Sequence, residues 1–144
     1  SFQHKTKKLL KYLDKNKLIT PHKKEFHRLF PSIKMSLDDK EKVLKFIKLS
    51  KSNILLKGNT TFIGSNKKII KNTHSSSELA VIGSGDVLAG IIASLVGDNK
   101  MSIIEAAAAA AWLHGDIARK YGKGLISEDL IKGIQSGLDR LAKK

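Results

Sequence analysis

Leu9, Leu10 and Leu13 recur at helical spacing through a lysine-dense opening, so residues 1–17 are expected to form an amphipathic helix. Leu18-Ile19-Thr20 is a short apolar run closed by Pro21, which predicts a short buried strand. Residues 22–30 can turn helical, with Phe26 and Leu29 inward and Glu25 near the start. Ser36 with Asp39 three residues on reads as an N-cap, and Val43, Leu44, Ile47 and Leu49 as the apolar stripe of a helix over 37–50. The period then changes. Residues 53–57 read as a strand, Gly58-Asn59 as a turn, and 60–63 with 67–71 as a hairpin around Gly64-Ser65-Asn66. A serine-rich stretch over 72–78 reads as loop. Beyond the glycines at 83 and 85 the pattern is helical over 85–96. It is helical again from a Ser102/Glu105 capping box through the alanine run to about Lys120. Residues 121–124 break that helix, and Ser127, Glu128 and Asp129 open a last one ending near Leu141. Strands mixed with helices, without an internal repeat, predict an α/β layer rather than a bundle.

Composition narrows the chemistry. At 144 residues and 41% hydrophobic content the chain fits one domain with a real core. With no cysteine, disulfides, thiolate catalysis and cysteine-bound zinc are excluded, and the five histidines show no metal-ligand spacing. No signal peptide and no apolar run of about 18 residues is visible, so a soluble, cytoplasmic protein without membrane partners is expected. The 27 basic against 13 acidic side chains leave a charge of +14, which attracts polyanions of every kind. The excess is nearly all lysine, spread along the chain with few aromatic residues, so a dedicated nucleic-acid binder is not expected.

One stretch carries candidate chemistry. Gly83-Ser84-Gly85-Asp86 places two glycines at the start of a helix, where backbone N–H groups and the positive helix end can receive a phosphate. A carboxylate at Asp86 would repel phosphate and is suited to accept a proton from a hydroxyl during phosphoryl transfer. The alternative is a glycine-rich helix start with Asp86 as a dipole-favouring first-turn residue.

Three ordered motifs then resemble one family. Thr20-Pro21-His22 with Glu25-Phe26, Leu56-Lys57-Gly58 with Thr61, and the run from Gly83 to Gly90 stand in the same order and at similar spacing in the ADP/ATP-dependent NAD(P)H-hydrate dehydratases, which are ribokinase-like enzymes. The resemblance extends over the alanine-rich helix with Leu113-His114-Gly115 and the helix beginning at Ser127. It implies a ribokinase-like α/β fold, here the C-terminal half of a Rossmann-like layered domain with a partial sheet plus helices. It also implies a repair reaction: ADP or ATP phosphorylates the hydroxyl of hydrated NADH or NADPH, and loss of that phosphate restores the dihydronicotinamide ring. On that resemblance Asp86 is catalytic and touches the substrate hydroxyl. Lys57, Gly58, Thr61, Gly83, Ser84 and Gly85 contact the nucleotide, His22 lines the hydrate pocket with Glu25 supporting its loop, and Mg2+ is expected with no assigned ligand. Taken without the resemblance, Lys57 is an ordinary strand-end lysine, Thr61 a β-branched strand residue, His22 a turn residue and His114 a hydrogen-bonded boundary histidine. Phe26, Phe62 and Trp112 are most simply core.

The departures are local and global. Ile82 stands where the family has a small residue, Ser75-Ser76-Ser77-Glu78 replaces a Gly-Asn-Pro-Gly segment, and Lys23-Lys24 replaces the Pro-Gly after the histidine. The family's domain is about twice as long, and the missing half lies upstream of Leu18. Residues 1–144 are therefore expected to be a single partial dehydratase domain, either truncated or completed by an upstream fragment, and to be oligomeric or aggregation-prone alone. An inactive nucleotide-binding remnant and another ribokinase-like small-molecule kinase are the alternative functions.

Overall fold

The computed structural model describes residues 2–144, so the expected helix start at Ser1 lies outside the described residues. The chain divides into two compact units, one up to Lys71 and one from Asn72 onward.

The first unit opens with α1 (Phe2–Tyr12), which ends sooner than the lysine-rich pattern suggests. The first strand, β1 (Leu18–Ile19), is half-buried rather than buried. It lies at one end of a four-stranded sheet, where β2 (Asn53–Leu56) is its described neighbour; β3 (Thr61–Gly64) and β4 (Ile69–Asn72) follow in order. Strands β1 and β2 are parallel and β2 and β3 antiparallel. Asn53 fixes the parallel register: its backbone N–H donates to the Lys17 carbonyl at 3.0 Å, and its buried side-chain amide donates to the carbonyls of Lys15 and Lys17 at 2.8 and 2.9 Å.

Helices α2 (Lys23–Leu29) and α3 (Asp39–Ser50) pack on this sheet through an aromatic cluster. Phe30 and Phe46 meet edge to face at 4.9 Å, and Phe26 lies 5.4 Å from Phe30. Two expectations are corrected here. Leu29 is exposed and Phe30 is buried instead, because Phe26 and Phe30 are four apart and share a helical face. In α3, Leu44 and Leu49 face solvent while Val43, Phe46 and Ile47 form the buried stripe. The α3 cap is Asp38, not Ser36: its carboxylate accepts from the Glu41 N–H at 2.8 Å and Glu41 reaches back to the Asp38 N–H at 3.1 Å.

The second unit is helical: a 3-10 turn over Ser77–Leu79, then α4 (Ser84–Gly97) and α5 (Ile103–Tyr121). The Ser102/Glu105 capping box forms as the sequence predicts. The expected last helix is two, α6 (Ser127–Lys132) and α7 (Ile134–Ala142), separated at Gly133. Ile126, not Ser127, occupies the cap position of α6. Trp112 is only half-buried, as is Phe62 in the first unit.

Candidate functional site

In the first unit the parallel register of β1 and β2 decides what meets. Continued past the strand ends, it pairs His22 with Lys57 in an isolated parallel bridge, and the Lys57 N–H donates to the Pro21 carbonyl at 2.9 Å. His22, Glu25, Lys57 and Gly58 therefore gather at the carboxyl ends of two parallel strands, where open α/β sheets receive ligands. Thr61 opens β3 and is buried.

His22 does more than turn the chain. It is the N-cap of α2: its Nδ1 accepts from the Glu25 N–H at 3.1 Å, and Glu25 Oε2 accepts from the His22 N–H at 2.8 Å. The second ring nitrogen lies 3.5 Å from Glu25 Oε1, and both side chains are about half exposed. With Nδ1 used as an acceptor, a neutral His22 carries its proton on Nε2, on the side of Glu25 Oε1. Glu25 thus orients His22.

In the second unit, Gly83 adopts a left-handed φ of 83° as the N-cap of α4, and a Cβ there would sit 2.8 Å from Ser127 Oγ. Only glycine suits this turn. The Ser84 hydroxyl spends its proton on the Leu79 carbonyl at 2.7 Å, while its carbonyl accepts from the buried His114 Nε2 at 2.9 Å. The Ser127 hydroxyl donates to the Ile82 carbonyl. Helices α2, α3 and α5 start with side-chain caps; α4 has none, and among the described residues no protein acceptor engages the Gly85 and Asp86 N–H groups. Asp86 is exposed, and no described hydrogen bond or ion pair engages its carboxylate. Ile82 is 99% exposed, so the β-branched residue before the glycine occupies no core position. Its φ is not positive, because the left-handed step falls on Gly83.

Sequence reasoning missed the network behind this turn. Asp116, 5% exposed, accepts from His74 Nε2 at 3.1 Å and from Arg140 Nε at 2.6 Å. Burial pushes its carboxyl up, but the bonds from Arg140 and His74 outweigh this and hold it below the usual carboxylate range. His74 also stacks on Trp112 with ring centres 4.8 Å apart. A lone acid after Leu113-His114-Gly115 on an alanine-rich helix was the one signal available.

Open grooves on each unit lie elsewhere. One of 910 Å³ in the first unit is lined by Leu13, Leu44 and Ile47 with lysines at its rim, and one of 340 Å³ in the second by Ile117, Tyr121 and Arg140. Neither includes a predicted site residue. Among the described residues no three His, Asp or Glu side chains converge as a metal cage, and no helix is long and apolar enough to cross a membrane.

A family model described as NAD(P)H-hydrate dehydratase matches residues 1–135. The ADP-dependent (S)-NAD(P)H-hydrate dehydratase of Neisseria meningitidis is 37% identical over 130 residues, covering 86% of this chain and 40% of that protein. The corresponding enzyme of Nitrosopumilus maritimus is 31% identical over 131 residues, covering 85% and 45%. The chain thus spans less than half the length of these curated relatives. Among solved structures, a ribokinase-like superfamily protein from Enterococcus faecalis has a TM-score of 0.80 at 22% identity, over 96% of this chain and 50% of that one. The ADP/ATP-dependent NAD(P)H-hydrate dehydratase of Bacillus subtilis, co-crystallised with ATP and Mg2+, has a TM-score of 0.72 at 25% identity, over 85% and 47%. The fold is ribokinase-like, and with its matched motifs and these relatives the chain belongs to the NAD(P)H-hydrate dehydratase family.

Proposed function

We propose that this chain takes part in ADP- or ATP-dependent dehydration of (S)-NAD(P)H hydrate, by phosphorylation of the hydrate hydroxyl and loss of phosphate, in a cytoplasmic setting. One observation carries the proposal: α4 begins at a left-handed glycine with the Gly85 and Asp86 amides unspent, and the exposed Asp86 carboxylate has no described protein partner. Unspent amides at a helix start suit the transferred phosphoryl, and a free carboxylate suits the hydroxyl proton. In the step assigned to Asp86, the hydroxyl oxygen bonds to the terminal phosphorus, the nucleotide leaves with the electrons of the broken P–O bond, and the proton passes to the carboxylate. In this reading Lys57, Gly58 and Thr61 contact the nucleotide, and His22 with Glu25 the hydrate.

Mg2+ fits this assignment only as a companion of the nucleotide. It is commonly held by one or two carboxylates, phosphate oxygens and water, and the described residues offer no cage. Bound so, it would neutralise charge on the phosphates.

Because the chain covers 40% and 45% of two dehydratase relatives, a further segment pairing along the free side of β1 belongs to the proposal, as do a single partial domain and self-association of the chain alone. The same partial coverage favours a second reading, nucleotide binding without turnover.

Calorimetry with ADP and ATP on wild type and Gly85→Val tests the phosphate site, and equal binding to both would remove it. With the upstream strands supplied, Asp86→Asn should keep nucleotide affinity while hydrate turnover falls by about 100-fold or more. Unchanged turnover would remove Asp86 from the chemistry. Binding without turnover in the assembled wild type would favour the second reading.

A further inference from the structure

The two lysines that depart from the family pattern after His22 have different surroundings. Lys23 reaches back across the proposed nucleotide segment: a Cβ on Gly58 would lie 3.1 Å from Lys23 Cε and 3.7 Å from Nζ. Its ammonium is held by Asp39, with Nζ 2.8 Å from Oδ2. Asp39 is shared. Its other oxygen lies 3.5 Å from the ammonium of Lys42, whose side chain is only 7% exposed. The remaining carboxylates at the starts of α2 and α3, Glu25, Asp38 and Glu41, are occupied by backbone N–H groups in the two capping boxes. Two ammonium groups, one of them buried, thus share one carboxylate, and a buried charge with half a partner favours a further anion.

A third group bears on the same cluster. His27 has a buried Nδ1 without a hydrogen-bond partner. Burial first, and then the charge of Lys42, hold its imidazole below the usual histidine range, with Lys23 adding to the effect and Asp39 opposing it.

We infer that Lys23, oriented by Asp39 beside buried Lys42, is a further nucleotide-binding residue that contacts a phosphoryl group lying against Gly58. This rests on the assignment of Lys57 and Gly58 to the nucleotide and extends it to a residue outside the family motif. Lys23 holds a compact cation over a backbone position without a side chain, its stem lying where a Cβ would stand. Lys24 is exposed on the same turn with no described partner and serves as its charge-matched control.

The test compares ADP and adenosine binding to the full chain by calorimetry. Lys23→Met keeps an unbranched stem over Gly58 and removes the charge, and Lys24→Met removes an equal charge. Thermal melts confirm that each variant folds. Lys23→Met should weaken ADP binding about tenfold and leave adenosine unchanged, while Lys24→Met changes both less than about twofold. Equal effects of the two variants overturn the inference, and tighter ADP binding by Lys23→Met overturns it by showing that Lys23 covers the site. If Gly85→Val weakens ADP while Lys23→Met does not, the nucleotide reading stands and the inference falls. If wild type binds no nucleotide, inorganic pyrophosphate decides the matter: binding lost in Lys23→Met sustains the anion site, and binding that is absent or unchanged overturns it.

Discussion

Gly115 and Gly90 both lie inside helices, yet the same substitution should move stability in opposite directions. An alanine Cβ at position 115 would sit 1.8 Å from the His74 carbonyl oxygen and 2.8 Å from its carbon. Ordinary contact begins near 3.4 Å, so the loop at His74 and Ser75 must retreat by about 1.5 Å. That retreat takes His74 away from Asp116, now 3.1 Å distant, and off the face of Trp112. Forcing the backbone apart costs about 1 to 3 kcal/mol, and losing a hydrogen bond to a charged group about 1.5 to 3 kcal/mol. Against this stands a gain of about 1 kcal/mol in helix propensity, so Gly115→Ala should destabilise by about 1.5 to 5 kcal/mol. At Gly90 a Cβ meets nothing within 4 Å. There only the propensity term remains, and Gly90→Ala should stabilise by about 0.5 to 1 kcal/mol. Urea denaturation of the two variants beside wild type measures both shifts. If Gly115→Ala is as stable as wild type, or if both variants move the same way, the close passage of the His74 loop over α5 is wrong.

Gly83→Ala combines an unfavourable left-handed φ of 83° with a 2.8 Å approach to Ser127 Oγ, and should loosen the α4 start by about 1 to 3 kcal/mol; hydrogen exchange at the Ser84 and Val87 amides, which donate to the Val81 and Gly83 carbonyls, should accelerate, and unchanged exchange would contradict the strain argument. For His27, burial and Lys42 lower the folded value below that of the unfolded chain, so the unfolded state binds the proton more readily in the interval between them. Its contribution is therefore fully present above about pH 6.5 and is lost as pH falls through the interval; denaturation midpoints for wild type and His27→Gln should show a steeper acid-side decline in wild type.

Signals within one turn were read correctly at the start of α5 and wrongly at the start of α3. The Ser102/Glu105 box capped α5 because both partners sit three residues apart on the same turn. The choice between Ser36/Asp39 and Asp38/Glu41 turned on reach: the longer glutamate side chain returns to the cap N–H, as Glu41 does. Apolar content misled in α2 and α3, where Leu29, Leu44 and Leu49 are hydrophobic but off the buried face, and face is set by packing. The break falls at Gly133, where a Cβ would lie 2.4 Å from the Ile117 side chain, a contact no window along the chain shows. The residues missed near the candidate site share this property. Asp39 stands sixteen positions beyond Lys23, and Asp116 joins a loop to the last helix, so no window along the chain shows either pairing.

The two units place their candidate groups by different physical means. In the first, His22 and Lys57 meet because the parallel register of β1 and β2 continues past the strand ends, and that register is held by Asn53 bonding to the Lys15 and Lys17 carbonyls of the incoming chain. A slip of one residue would turn every side chain of β1 to the opposite face, so placement there depends on a buried amide remote from any ligand. In the second, the amides of Gly85 and Asp86 stay open because nothing caps α4: the residue before it is a glycine without a side chain, and the Ser84 hydroxyl is drawn back to Leu79. Ser84 thus shapes the turn through its two protein bonds, its hydroxyl to Leu79 and its carbonyl from His114.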